Sequence, residues 1–209
     1  MSEAVLGAVL VGGASRRMGE DKAALALDGT PMVHRVARAL FGGGVGSVVF
    51  VGGDDRIEGW IADGWPGQGP LGGLATAVRH GATAEGAEGG EGVEVVVVAA
   101  CDQPDLTPEL IGSLVRSLHA APEEAVGCAV RTGDGRLHPF PSAWRVGAAD
   151  ALAALVDGGA RRADAAFAIG PIIEVAGDGR ALTDLDTPAD VQAWQTLREG
   201  ETQPPGNHP

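Results

Sequence analysis

Apolar positions follow two rhythms along this chain: short continuous runs, and longer stretches at helical spacing. Ala4 to Val11 is a short apolar run ending in glycines, Ser47 to Val51 (SVVFV) repeats the pattern, and Val93 to Ala100 (VEVVVVAA) is the most β-branched segment. Such runs predict strands covered on both faces. Between them, Val33, Val36, Ala37 and Leu40 fall on one stripe of a helix over Pro31 to Phe41, and Leu71 to His80 predicts a second helix behind Gly69-Pro70, where proline suits the first turn. Thr107 caps a third, with Pro108 in its first position and Leu110, Ile111, Leu114, Val115 and Leu118 as its apolar face. Ile57 to Ala62 reads as a short weak element, Ala125 to Val130 as a strand, Val146 to Val156 as a helix and Ile172 to Val175 as a late strand. Thr187-Pro188 starts a final helix through Leu197, while Arg136 to Trp144 (RLHPFPSAW), broken by prolines, predicts an irregular edge element.

Strands alternating with helices predict an α/β fold: a single three-layer α/β/α domain around a mostly parallel, Rossmann-like sheet. A chain of 209 residues suits one such core, burying roughly 70% of its unfolded surface. The domain is expected over residues 1–198, with 199–209 (EGETQPPGNHP) a disordered tail lacking apolar anchors. Ala82 to Gly92 (ATAEGAEGGEG) is acidic and glycine-rich, a solvated loop with no assigned chemistry. In parallel sheets ligands bind beyond the carboxyl ends of the strands. The chain should therefore bring the glycines after Val11 and the acid after Cys101 to one edge.

Charge narrows the function further. The formal net charge is −13, from 28 acidic and 15 basic residues, which argues against a nucleic-acid surface. Cys101 and Cys128 both lie in apolar segments, supporting neither a disulfide scaffold nor a four-cysteine zinc site and fitting a reducing cytoplasm. No apolar run approaches the ~18 residues that span a bilayer, so no membrane association is expected.

Against this acidic background, Leu10-Val11-Gly12-Gly13-Ala14-Ser15-Arg16-Arg17-Met18-Gly19-Glu20-Asp21-Lys22 stands out. Glycines let main-chain amides approach a ligand, and the arginines and lysine supply cations for anionic oxygens. A tight turn needs no such cations. The segment has neither GxGxxG nor GxxxxGK[ST], so it predicts a nucleotide triphosphate loop of another kind.

LVGGASRRMGEDK resembles the LxGGxSxRMGxDK signature of the MobA-like nucleotidyltransferases, the molybdenum cofactor guanylyltransferases. GPLGGL at Gly69 to Leu74, CDQP at Cys101 to Pro104 and DLDTPADV at Asp184 to Val191 resemble that family's GPLAG, CDxP and NxNTPED elements in the same order. The resemblance implies that Leu10, Gly12 and Gly13 face the nucleotide, that Lys22 and Arg17 bind phosphate, and that Asp102 holds Mg²⁺. Arg16 aligns less securely. Asp102, delivered by a central strand, is a hard oxygen donor suited to a cation on triphosphate oxygens; its alternative is a cap near Thr107, a role Asp105 fits better. Asp63 matches a second nucleotide-contacting aspartate, or sits in a solvated loop.

Asp184 and Asp186 replace the family's two asparagines. They could complete the metal shell or bind a ribose, and Asp186 could equally begin the last helix. The DxDTPxD form resembles the related cytidylyltransferases, whereas the glycine pair after Val11 favours guanine. Gly159-Ala160-Arg161-Arg162 resembles a GxRR segment, and Arg131, Arg136 and His138 lie near it in sequence: a pocket for a phosphorylated pterin, or solvated arginines. The implied reaction moves GMP from GTP to the terminal phosphate of molybdenum-molybdopterin with Mg²⁺ as cofactor, releasing pyrophosphate. A molybdoenzyme or cofactor-insertion protein would then be a partner. Rival readings are a cytidylyl or sugar-phosphate nucleotidylyltransferase, and a catalytically silent nucleotide-binding accessory protein.

Overall fold

The structure, a computed structural model, describes residues 5–11, 25–53, 58–84 and 92–202. Its main sheet is built on β1 (Val5–Leu10), β4 (Ser47–Val51) and β6 (Val95–Ala100). β1 pairs parallel with both, so that Leu10 faces Val51 on one side and Ala100 on the other. Their alternate side chains enter opposite cores. Val5, Val9, Val95 and Val97 pack beneath α1 (Met32–Gly42) and α3 (Pro108–His119), while Leu6, Ala8, Leu10, Val96 and Val98 pack beneath α2 (Pro70–Thr83) and α4 (Ala149–Asp157). Both faces of the central strands are thus apolar because helices cover both, giving the three layers expected.

With β5 (Trp60–Ile61), β7 (Gly127–Arg131), β8 (Leu137–Arg145) and β9 (Ile172–Ala176), the sheet has seven strands in the order β5-β4-β1-β6-β8-β7-β9. β8 departs from expectation. It is no edge element but an interior strand, antiparallel to both β6 and β7. Its register against β7 jumps from Ala129–Ser142 to Val130–His138, so Pro139, Phe140 and Pro141 bulge out of the ladder. The bulge removes the demand for the N–H groups that proline lacks.

A small hairpin, β2 (Ala26–Leu27) and β3 (Thr30–Pro31), precedes α1 and was not expected from the apolar pattern. Its two turn residues, Asp28 and Gly29, both have positive φ (50° and 74°), as a type I′ connection requires. It carries Leu27 into a satellite core with Met32, Leu185 and Trp194. At α2, Gly69 has φ 76° and ψ −173°, and a Cβ there would lie 2.7 Å from the Arg161 carbonyl oxygen. Only glycine allows this approach.

Helix starts follow the sequence closely. Thr107 Oγ1 accepts from Leu110 N at 3.3 Å. The last helix, α5 (Pro188–Thr202), runs beyond Leu197, and Thr187, not Asp186, caps it: Asp190 N donates to Thr187 Oγ1 while Thr187 N donates back to Asp190 Oδ2 (3.2 and 2.7 Å). This is a reciprocal capping box. Asp105 caps no helix. Its two oxygens accept from Trp194 Nε1 and Arg198 Nη1 (2.7 and 3.0 Å), fastening α5 to the entry of α3. Both cysteines are buried and neither forms a disulfide, and burial pushes the Cys128 thiol up to about 12.

Candidate active site at the carboxyl edge of the sheet

The chain leaves β1 at Val11 and β6 at Cys101, side by side. Val11 N donates to Val51 O at 3.0 Å and Cys101 N to Leu10 O at 3.1 Å. Leu10 is buried at the tip of β1, and Asp102 sits half-buried one residue past the buried Cys101. Asp102 therefore stands beside the strand end that leads into the glycine-rich segment. Gly12, Gly13, Arg16, Arg17 and Lys22 themselves lie outside the described residues.

The other segments of this edge come from farther along the chain. Because β8 reverses direction, β7 runs parallel to β6, and the turn from β7 to β8 (Thr132 to Arg136) emerges beyond the same carboxyl ends. β9 also runs parallel to β7, delivering the 3₁₀ turn Gly179–Leu182 to this edge. The chain then crosses back toward β6, where Leu185 N donates to the Asp102 carbonyl at 2.9 Å. Leu185 is buried while Asp184 and Asp186 on either side are exposed: an extended segment with its apolar residue down and its acids up. These elements enclose a cleft of about 650 Å³ whose lining includes Thr132, Arg136, His138, Asp184, Asp186 and Asp190.

Hydrogen bonds fix the cleft's rim. Thr132 Oγ1 lies 2.5 Å from Asp134 Oδ1 and 3.0 Å from His138 Nε2. A hydroxyl has one proton, and the carboxylate takes it, so Nε2 must carry the hydrogen toward Thr132. Desolvation, then the positive charge of Arg136, hold His138 below its ordinary value, with Asp134 acting the other way. The Thr132 hydroxyl and the Arg136 amide hold the Asp134 carboxyl below its usual range. The cleft thus presents a neutral imidazole and a guanidinium opposite carboxylates.

The predicted cation group separates. Arg136 and His138 line the cleft, but Arg131 pairs with Glu174 and the Gly135 carbonyl. Arg162 pairs with Asp164, and Arg161 donates to the carbonyls of Val156 and Ala160 (3.1 and 2.9 Å). These three are engaged elsewhere. Asp63 lies in no merely solvated loop: its Oδ1 accepts from Trp65 N and Thr76 Oγ1, each at 2.9 Å, pinning the turn before α2.

The apolar pattern gave no hint of Gln103. It is 4% exposed and donates through Nε2 to Phe140 O (3.3 Å) and Asp184 Oδ1 (3.0 Å). A polar side chain directly after Asp102 on a buried strand tip was its only available signal.

A doubly covered sheet whose first strand leads into a glycine-rich sequence, with an acid one residue past the tip of the adjacent strand, has the architecture of a nucleotide-handling α/β enzyme. Residues 7–169 match the family model described as the MobA-like NTP transferase domain. The chain belongs to the MobA-like NTP transferase family and is a nucleotidyltransferase. It is 35% identical over 200 residues to the molybdenum cofactor guanylyltransferase of Cereibacter sphaeroides, across 92% of this chain and 96% of that one. In fold it is similar to molybdopterin-guanine dinucleotide biosynthesis protein A from Archaeoglobus fulgidus (TM-score 0.74, 22% identity, 93% of this chain and 99% of that one). It also resembles a Mycobacterium tuberculosis H37Rv protein crystallised with manganese (TM-score 0.64, 18% identity, 93% and 98% covered). Among the described residues, no helix is long and apolar enough to cross a membrane.

Proposed function

We propose that this nucleotidyltransferase moves GMP from GTP to the terminal phosphate of molybdenum-molybdopterin, releasing pyrophosphate and forming molybdopterin guanine dinucleotide. The supporting observation is the adjacency of Leu10 and Cys101 at the sheet's carboxyl edge, joined by a 3.1 Å hydrogen bond. It sets Asp102 beside the strand end that enters the glycine-rich segment. In this reading Leu10, Gly12 and Gly13 lie against the nucleotide, and Asp63, whose Oδ1 is committed to its turn, reaches the base or ribose through Oδ2. The acceptor occupies the cleft of Arg136, His138, Asp184 and Asp186.

Asp102 would hold Mg²⁺. Among the described residues no group of three or more His, Cys, Asp or Glu side chains is arranged to hold a cation, and Asp102 is the carboxylate this reading assigns to it. Such a donor suits Mg²⁺, which keeps waters and binds through one or two carboxylates plus substrate phosphates. When bound, the ion neutralises charge on the triphosphate. Lys22 and Arg17 offset charge on the α-phosphate and the departing pyrophosphate, and the segment aligns the two phosphates for direct attack. The acceptor phosphate is already ionised near neutral pH, so no side chain need remove a proton.

The test is pyrophosphate release with molybdopterin and GTP, CTP or ATP, for the wild type and for Asp102→Ala. GTP preference, with turnover lost in Asp102→Ala but thermal unfolding retained, is the expected outcome. A preference for CTP would overturn the base assignment, an outcome the acids Asp184 and Asp186 make worth measuring. Unchanged transfer by Asp102→Ala would remove the metal role. Tight GTP binding without transfer to any pterin would leave a binding protein.

A further inference from the structure

We infer that Gln103 is a positioning residue: it sets the carboxylate of Asp184 in the cleft wall and so joins acceptor recognition to the strand tip carrying Asp102. The inference rests on the acceptor being bound in that cleft, as proposed above. A primary amide has two N–H donors. Here one goes to Phe140 O at 3.3 Å, in the bulge of β8, and one to Asp184 Oδ1 at 3.0 Å. Turning the amide over would set Oε1 against a carbonyl and a carboxylate oxygen, so its orientation is dictated by its surroundings. Gln103 is 4% exposed, and a hydrogen bond to a charged acceptor is roughly twice as strong as a neutral one.

The neighbouring contact runs in step. Asp102 O holds Leu185 N at 2.9 Å while Gln103 holds Asp184, so two successive residues of the β6 tip grip two successive residues of the cleft wall. Leucine or methionine would fill the volume at position 103 without supplying either donor. What glutamine adds there is direction: one oxygen of an otherwise exposed carboxylate is fixed, and with it the way Asp184 meets an acceptor.

Equilibrium binding of molybdopterin under anaerobic conditions and of GTP, each followed by fluorescence, tests this in the wild type, Gln103→Met, Gln103→Glu and Gln103→Glu/Asp184→Asn. Gln103→Met should weaken molybdopterin binding by about tenfold or more, the scale of one hydrogen bond to a charged group. GTP affinity should fall by clearly less, because both Gln103 donors go to β8 and the cleft wall rather than to the Asp102 side chain. Gln103→Glu faces Asp184 with a like charge, so it should weaken molybdopterin binding at least as much as Gln103→Met does. The double variant should recover part of the loss, because the amide introduced at position 184 donates to the carboxylate introduced at position 103. If Gln103→Met does not fold, Asp184→Asn in the wild-type background removes the charged acceptor from the exposed end of the same contact and should weaken molybdopterin binding likewise.

Equal losses of molybdopterin and GTP affinity, or no loss of molybdopterin affinity, would overturn the inference and leave Gln103 a packing residue. Failure of the wild type to bind molybdopterin would overturn both this inference and the acceptor proposal. Wild-type binding without guanylyl transfer, with the contrast among variants intact, would overturn the proposed reaction alone.

Discussion

Leu185 offers the sharpest test of how the cleft wall is held. It is 1% exposed, packs in the satellite core with Leu27, Met32 and Trp194, and lies between the two cleft acids. Leu185→Ala removes the equivalent of three methylene groups, a transfer loss of about 2.4 kcal/mol at roughly 0.8 kcal/mol each. A residual cavity adds to this, but the core is small and peripheral and its walls can close, so we expect a total of about 3 kcal/mol. In a domain of this size that lowers Tm by about 6–12 °C. Urea unfolding followed by tryptophan fluorescence measures it, with an unchanged m-value showing that stability has changed without a change in the surface exposed on unfolding. Leu197→Ala on the same final helix is the control: Leu197 is 64% exposed, and its loss should change stability by less than about 0.5 kcal/mol. A change below about 1 kcal/mol for Leu185→Ala would refute the reasoning, because a side chain so loosely held could not anchor Asp184 and Asp186.

Two further outcomes follow from individual residues. Gly69→Ala forces a side chain into a glycine-only backbone region and against the Arg161 carbonyl, 2.7 Å away; it should destabilise by at least about 2 kcal/mol, read from the guanidinium midpoint. His138 is held below its ordinary 6.5 first by burial and then by Arg136. The unfolded chain therefore binds a proton that the folded chain resists, and stability falls as pH drops below 6.5 toward the folded value. His138→Gln should flatten the Tm-against-pH curve in this window; identical curves for the two proteins would refute the linkage.

The central strands and the helices over them were legible because each is a local pattern. β1, β4 and β6 are continuous apolar runs, and Thr107-Pro108 and Thr187-Pro188 announce their helices with cap chemistry that the structure reproduces. β8 was misread because its prolines, taken singly, exclude an interior strand. Only the bulge, a relation between two strands, makes them acceptable. The β2–β3 hairpin did carry a signal in Asp28-Gly29, but its strands are too short for alternation to register. For the site, the position of Asp102 at a strand tip could be read from the run before it. The cleft could not, because its walls come from the β7–β8 turn and the segment after β9, far apart in sequence. Arg131, Arg161 and Arg162 looked like one cationic group only while their partners were unknown.

The antiparallel insertion of β8 has a mechanical consequence. One bank of the cleft is a hairpin rooted on both sides in the main sheet, whereas the facing bank is a strap fastened by the Leu185 amide, the Leu185 side chain and the Gln103 contact. The two banks are therefore tied to the fold differently, one by strand ladders and the other by contacts of residues 184 and 185 with the β6 tip. Substitutions at residues 184–186 would reshape the cleft while leaving the ladders of the sheet intact.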